Sequence, residues 1–241
     1  MRVRFLIFPL ILILCGGCVS MAIVPTIPDI YEKTMTTESG KELRYTISIP
    51  SSFSPDKPVP LILALHYGGQ VTPFYGKDFL TLLVEPALRE LGAIIVAPDC
   101  PGSNWIDPIS EDAVMSLLNQ IMKEYKIDDK KTLITGYSMG AVGTWYIVSR
   151  QSHLFRAAIP ISGIPSVEKA PVVKDVPLYV IHSQKDEIFP IDSVKNLIQI
   201  YKSKGVSVHL EVVSDISHYE TSKFIGPLKA TIPWIRKIWG E

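Results

Sequence analysis

Short apolar or β-branched runs alternate with amphipathic stretches of helical length along most of this chain. Continuous runs such as Ala93-Ile94-Ile95-Val96-Ala97 are typical of strands buried on both faces of a parallel sheet. The runs lie at 43–49, 60–66, 93–98, 132–136, 157–162, 177–182 and 207–213, and the helical stretches at 78–91, 110–125, 139–150, 191–204 and 221–239. This alternation predicts an α/β fold with a mostly parallel central sheet flanked by helices.

Two details of the spacing refine this prediction. The run at 43–49 leads into the next run without a helix between them, so we expect the sheet to open with an antiparallel strand. Only about a dozen residues, 164–175, separate the runs at 157–162 and 177–182, which leaves no room for a large lid.

Composition excludes several classes of protein. The chain has 241 residues, 47% of them hydrophobic and 20% charged, which fits one globular domain and argues against intrinsic disorder. Its formal net charge is zero and it has no run of Lys or Arg, so nucleic acid is not an expected partner.

The first residues have the layout of a secretory signal. Arg2 and Arg4 precede an uncharged apolar run at 5–14, and Gly16-Gly17 precede Cys18. This order resembles a bacterial lipoprotein signal, in which residues 1–17 are removed and Cys18 is lipidated. A plain cleaved signal is one alternative. An uncleaved membrane anchor is the other, because no charge occurs between Phe5 and Val24 and a stretch of that length could span a bilayer.

The signal implies an exported protein. We expect it in a bacterial cell envelope, anchored through Cys18, and otherwise in the periplasm or secreted. The Pro- and Thr-rich residues 18–37 are interpreted as a tether, and residues 38–241 as a catalytic domain. Cys100 is then the one cysteine of that domain, so no disulfide within it is expected.

A Gly-x-Ser-x-Gly turn follows the apolar run at 132–136. Gly136 and Gly140 allow neighbouring backbones to approach closely, and the turn presents the Ser138 hydroxyl between a strand and a helix. The pentapeptide alone is weak evidence, because a serine hydroxyl needs an adjacent base to become a nucleophile.

His218 is the best candidate for that base. It follows the last apolar run in a polar loop, whereas His66 and His182 end strands, His153 lies just beyond a helix and His209 lies inside a strand.

A carboxylate should orient the imidazole of that base, and three acidic residues compete for the role. Asp186 comes just after the run at 177–182 and is favoured. Asp215 lies only three residues from His218, and Glu187 lies beside Asp186 in the same turn.

The negative charge that develops on a substrate carbonyl needs two N–H donors. One is the backbone N–H of Met139, at the start of a helix. The other is expected from the loop His66-Tyr67-Gly68-Gly69, from Gly68 or Tyr67. Tyr67 and Trp105 are expected at the mouth of the pocket, although Trp105 could equally be packed within its loop.

Four motifs together resemble the α/β-hydrolase superfamily. They are Leu65-His66-Tyr67-Gly68-Gly69, Ala97-Pro98-Asp99-Cys100-Pro101 with Trp105, Gly136-Tyr137-Ser138-Met139-Gly140, and Ile181-His182-Ser183-Gln184-Lys185-Asp186. The chain is most similar to compact bacterial esterases, poly(3-hydroxybutyrate) depolymerase-like enzymes and predicted peptidases, with dienelactone hydrolases nearby. The resemblance covers about residues 40–239.

This resemblance implies roles for particular residues. Ser138 would be the nucleophile, Asp186 the acid and His218 the base, with the N–H groups of Met139 and Gly68 as the oxyanion hole. The family usually has His-Gly where this chain has His66-Tyr67, so a tyrosine could narrow the pocket.

The expected activity is hydrolysis of a small-molecule or polymer-end carboxylic ester through an acyl-enzyme, with no metal or organic cofactor. A serine peptidase of the same fold is the main alternative, and a non-catalytic binding lipoprotein is a second one.

Overall fold

The computed structural model of the protein describes residues 24–166, 173 and 175–241. In this part of the chain eight strands form one sheet in the order β1-β2-β4-β3-β5-β6-β7-β8. The strands are β1 (Asp29–Thr36), β2 (Glu42–Ile49), β3 (Val59–Leu65), β4 (Ile94–Pro98), β5 (Ile127–Tyr137), β6 (Ala157–Ile161), β7 (Leu178–Ser183) and β8 (Val208–Val213). All pairs from β4 through β8 are parallel, whereas β2 pairs antiparallel with β1 and β4. The predicted fold class, including its antiparallel opening, is confirmed.

Helices cover both faces of the sheet. They are α1 (Gly76–Phe79), α2 (Glu85–Leu88), α3 (Pro108–Glu124), α4 (Met139–Arg150), α5 (Ile191–Ser203), α6 (Ile225–Lys229) and α7 (Ile232–Trp239). Apolar residues of α3, α4 and α5 form one core with one face of the sheet, and those of α1, α2, α6 and α7 form another core with the opposite face. In β3, Leu61 and Leu63 belong to the first core and Ile62 to the second, as expected for a strand buried on both faces.

Two predicted helices are less regular than expected. The stretch at 78–91 is helical, but a π-helical segment, Leu80–Val84, joins α1 to α2. The stretch at 221–239 was predicted as one helix and is broken into a 3-10 turn (Thr221–Phe224), α6 and α7. Pro233 lies in the first turn of α7, where its missing N–H costs no intrahelical hydrogen bond, so a new helix begins there.

The predicted tether at 18–37 is wrong at its carboxyl end. Residues 29–36 form β1, which pairs with β2 along its whole length from Asp29↔Ile49 to Thr36↔Glu42. Met35 is buried, and even Pro25 accepts a hydrogen bond from the Tyr125 hydroxyl (3.0 Å). The prolines that suggested a linker precede the strand, whose aromatic and β-branched residues favour pairing. The domain therefore includes residues before 38.

Three further predictions concern the ends and connections of the domain. Residues 1–17 and Cys18 lie outside the described residues. Only residues 162–177 lie between β6 and β7, so no large lid is inserted there, as predicted. In the described part of the chain, no helix combines the length and apolar character needed to cross a bilayer.

Candidate active site

Ser138 lies at the corner where β5 passes directly into α4. Its backbone has φ 54° and ψ −114°, a conformation that is strained for a residue with a side chain. A hydrogen bond from its N–H to the Ile161 carbonyl (2.9 Å) helps to hold it there. A Cβ at Gly136 would lie 2.2 Å from the Gly140 carbonyl oxygen, so this corner can close only around glycine.

The three predicted polar side chains meet at this corner. His218 Nε2 lies 2.9 Å from Ser138 Oγ, and His218 Nδ1 lies 2.8 Å from Asp186 Oδ2. Asp186 and His218 come from the loops after β7 and β8, at the carboxyl edge of the sheet. A carboxylate only accepts hydrogen bonds, so Nδ1 carries the proton and Nε2 is left to accept the serine proton.

Asp186 is held in its charged form. Burial acts to raise its pKa, but the hydrogen bonds from His218 and from the Phe189 N–H outweigh burial and lower it. Its second oxygen, Oδ1, accepts the N–H groups of Ile188 (3.0 Å) and Phe189 (2.8 Å). The carboxylate is therefore fixed in position and keeps its charge near neutral pH.

The two rival carboxylates have other partners. Glu187 accepts the backbone N–H of His218 (2.7 Å), and so braces the histidine loop. Asp215 forms an exposed ion pair with Lys185.

The Tyr137 hydroxyl also holds the histidine loop, because it donates a hydrogen bond to the His218 carbonyl (2.8 Å). The sequence did not identify this contact, since nothing in the pattern links residues 137 and 218.

The loop after β3 lies against the start of α4. A Cβ placed on Gly68 would lie 3.7 Å from Met139 Cβ, so the two backbones are close neighbours. His66 Nδ1 lies 2.7 Å from the Tyr67 carbonyl oxygen, and His66 Nε2 accepts the Cys100 N–H (3.0 Å). The Tyr67 carbonyl and the Gly68 N–H are opposite ends of one planar peptide, so His66 also fixes the direction of that N–H.

Comparisons with known proteins agree with this fold. A model of the dienelactone hydrolase family matches residues 105–221. The crystal structure of a thermostable esterase superimposes with a TM-score of 0.72 and 25% identity, covering 87% of this chain and 63% of that one. The chain has the α/β-hydrolase fold.

Two curated relatives of this chain are named as esterases. Feruloyl esterase C of Emericella nidulans is 25% identical over 180 residues, which is 69% of this chain and 63% of that protein. The bifunctional acetylxylan esterase/xylanase XynS20E of Neocallimastix patriciarum is 26% identical over 171 residues. That match covers 69% of this chain but only 25% of the relative, so the chain spans less than two thirds of each.

A cavity of about 590 Å³ opens beside Ser138 and His218. We call it the aromatic cavity, because its lining includes three tyrosines, Tyr67, Tyr137 and Tyr219, together with Leu82 and Ile188. Glu220, Thr221 and Ser222 add polar groups to the same lining. Leu82, Ile188 and Tyr219 are exposed at its rim. The Tyr67 ring packs edge-on against Tyr75 (5.7 Å), Phe79 and Tyr137 (both 6.3 Å), so it forms a firm wall.

Trp105 does not line this cavity, and the prediction that it does is wrong. Its side chain is fully buried, and its Nε1–H donates to the His66 carbonyl (2.9 Å). A Cβ on Gly143 of α4 would lie 2.3 Å from Trp105 Cβ, so the helix leaves space for the indole. Trp105 therefore supports the His66 loop from below. Gly143, a glycine inside helix α4, was the sequence signal that a bulky side chain packs against this helix.

His182, another histidine considered as a base, supports the Asp186 turn. It is fully buried, and its Nε2 donates to the Phe189 carbonyl (2.7 Å) while lying 3.7 Å from Asp186 Oδ2. Burial lowers its pKa, so it stays neutral. The sequence signal for the approach of His182 to Asp186 was their separation by only four residues.

The buried His66 should make stability depend on pH. Burial lowers its pKa to about 4, although the hydrogen bond to Tyr67 acts in the opposite direction. The unfolded chain takes up a proton near pH 6.5 and the folded chain only near pH 4, so stability is lost as the pH falls between them. We expect His66 to account for about 3 kcal/mol of lost unfolding free energy at pH 4.

Urea unfolding at pH 7 and pH 4 measures this loss. His66→Gln should flatten the pH dependence by about that amount. An NMR titration gives a check that needs no variant. Ring signals of His66 that titrate near pH 6.5 would contradict this assignment.

Proposed function

We propose that this α/β-hydrolase cleaves carboxylic esters through an acyl-enzyme on Ser138. The observation that carries the proposal is the continuous hydrogen-bonded path from Ser138 Oγ through His218 to Asp186. The strained serine corner supports it, because such a conformation persists only where surrounding structure holds it.

The first half of the reaction forms the acyl-enzyme. Ser138 Oγ attacks the ester carbonyl carbon while His218 Nε2 takes its proton. The tetrahedral intermediate then collapses, the bond from carbon to the alcohol oxygen breaks, and Nε2 returns the proton to the leaving alcohol. Water attacks the acyl-enzyme in the second half, with His218 again as base, and releases the acid and free Ser138. Asp186 stays ionised throughout and stabilises the imidazolium.

The N–H groups of Met139 and Gly68 are the proposed oxyanion hole. Met139 begins α4, where N–H groups have no acceptor within the helix and the helix dipole favours negative charge. Gly68 is favoured over Tyr67 because the hydrogen bond of the Tyr67 carbonyl to His66 directs the Gly68 N–H away from that side.

The aromatic cavity and the relatives support one class of substrate. One relative is named for a feruloyl ester and the other for acetylxylan, an acetyl ester of the polysaccharide xylan. The tyrosine-lined wall beside Ser138 suits an aromatic or otherwise apolar group of the substrate. We therefore propose esters that join an aromatic acid to a carbohydrate.

A panel of substrates tests this proposal against the peptidase alternative. We expect kcat/KM for methyl esters of hydroxycinnamic acids to exceed that for aminoacyl anilides by at least about 100-fold, because amide leaving groups are poorer. Ser138→Ala is the matched control for background hydrolysis. Faster cleavage of the anilides would favour a peptidase, and no turnover of any substrate would favour a binding protein.

We also propose export and lipid anchoring through Cys18, supported by the sequence pattern of residues 2–18. Intact mass of the full chain expressed in a bacterium should show loss of residues 1–17 and addition of acyl chains. A Cys18→Ala variant should lose those acyl chains and leave the membrane fraction. An unacylated wild-type chain would contradict the proposal.

A further inference from the structure

A second cavity, of about 610 Å³, is lined by Met139, the residue after Ser138. We call it the polar cavity, because charged and hydroxyl side chains from residues around the start of β2 and from the loops after β3 and β4 form much of its lining. They include Lys41, Glu42, Arg44, Thr72 and Ser103.

The two cavities are lined by consecutive residues of the same two segments. Gly68 and Ser138 line the aromatic cavity, and the next residues along the chain, Gly69 and Met139, line the polar one. A Cβ on Gly68 would lie 3.8 Å from Met139 Sδ, so the two linings are in contact at this point. An ester carbonyl held by the N–H groups of Gly68 and Met139 is therefore next to both cavities.

The side chains of the polar cavity offer donors and acceptors together. Arg44 Nε lies 3.3 Å from Glu42 Oε1, which places a planar donor group beside an acceptor in a pair that is largely exposed. Lys41 is exposed, and its ammonium group has no ion-pair partner within residues 24–166, 173 and 175–241. The Thr72 and Ser103 hydroxyls add groups that can both donate and accept.

Asp99 also lines the polar cavity, but its carboxylate is already hydrogen-bonded within the protein. Its two oxygens accept the N–H groups of Phe74 (2.7 Å) and Gly76 (3.0 Å), and it is nearly buried. The groups free to meet a ligand are therefore those of Lys41, Arg44 and Glu42, with the apolar surface of Val71 and Met139 beside them.

This combination matches a sugar better than an aromatic ring. A sugar has hydroxyl groups that each donate and accept, and C–H faces that pack on apolar surface. The aromatic cavity also has polar lining residues, Glu220, Thr221 and Ser222, but the polar cavity offers more charged groups, at Lys41, Glu42 and Arg44. A sugar hydroxyl that is buried without a partner costs about 1–3 kcal/mol, so the cavity with more partners is favoured. The leaving oxygen must reach His218 Nε2, but the sugar beyond it need not stay in that cavity.

We infer that the polar cavity binds the carbohydrate portion of the ester while the aromatic cavity holds the apolar group. This inference rests on the proposed function, since it names the second part of the same substrate. Arg44 and Lys41 are then specificity-determining residues that contact the sugar and take no part in the chemistry.

Two substrates with the same acyl group and different alcohols test the inference. We would compare methyl ferulate with a feruloyl ester of an arabinoxylo-oligosaccharide, and express the result as the ratio of their kcat/KM values. Arg44→Ala should lower the sugar-to-methyl ratio by about 5- to 30-fold, as expected for losing one or two hydrogen bonds to a sugar. The control Lys130→Ala, at an exposed position near the amino end of β5 and outside the lining of either cavity, should leave the ratio unchanged.

An unchanged ratio in Arg44→Ala, with circular dichroism matching that of the wild type, would overturn the inference. If the wild type cleaves neither ester, the proposed function fails, and the cavity is judged by binding alone. In that case the unesterified oligosaccharide is titrated into Ser138→Ala and followed by NMR. The double variant Ser138→Ala/Arg44→Ala should bind the oligosaccharide more weakly than Ser138→Ala, which would support the sugar site. The absence of saturable binding to Ser138→Ala would overturn the inference.

Discussion

Replacing Ser138 with alanine should lower kcat by about 10⁴- to 10⁶-fold, the range expected when a serine nucleophile is removed from an intact triad. The loss is large because the acyl-enzyme cannot form without Oγ, even though His218 and Asp186 keep their places. Ser138 is only half-buried and makes one side-chain hydrogen bond, to His218 Nε2 at 2.9 Å. The fold should therefore survive, with a melting temperature within a few degrees of the wild type, as is usual when a partly exposed group is removed.

Steady-state kinetics on an aryl ester, with circular dichroism and thermal unfolding, separate these two effects. Ser193→Ala, at an exposed position in α5, is the matched control and should retain full activity. A Ser138→Ala protein that folds and retains more than about 10% of wild-type kcat would be incompatible with an acyl-enzyme on Ser138.

Replacing Gly140 with alanine should destabilise the fold by at least about 3 kcal/mol, the upper part of the range for overpacking a closed site. The new Cβ would lie 1.9 Å from the Leu65 carbonyl oxygen and 2.7 Å from that of His66. Both atoms belong to the backbone, so no side chain can rotate away. The end of β3 and the start of α4 would have to separate, which also displaces the Ser138 corner and the His66 loop.

Urea unfolding measures this cost, and Ser193→Ala, at an exposed position in α5, provides its control. A surface substitution of this kind should change the free energy of unfolding by no more than about 0.5 kcal/mol. Equal urea midpoints for Gly140→Ala and the wild type would show that β3 and α4 are not in contact at this point.

The sheet and the reactive corner were predictable because both leave local signals. The run at 93–97 is apolar without alternation, and β4 is indeed buried on both faces. The Gly-x-Ser-x-Gly turn has a strand before it and a helix after it in the sequence. Parallel strands bring their carboxyl ends to one edge, so residues after β5, β7 and β8 could be expected to meet there.

The predictions that were wrong, for β1 and for Trp105, also have physical explanations. β1 is an edge strand whose pairing depends on β2, and its polar and threonine residues gave no local sign of burial. Trp105 was expected at the mouth because it lies in a loop near the site. Its hydrogen bond to His66 spans 39 residues, and the space it occupies is made by Gly143, so only the packed structure could show its position. The roles of His66 and His182 depend on similar contacts with backbone carbonyls.

Covalent labelling by a fluorophosphonate, read by intact mass and peptide mapping, tests most directly whether Ser138 is an activated nucleophile. The probe reacts with an activated serine by forming an O–P bond and losing fluoride. We predict one adduct per chain, located on Ser138, with loss of esterase activity in proportion to labelling and no adduct in Ser138→Ala. Ester hydrolysis that continues after Ser138 is fully modified, or an adduct on a different serine, would contradict the proposed mechanism.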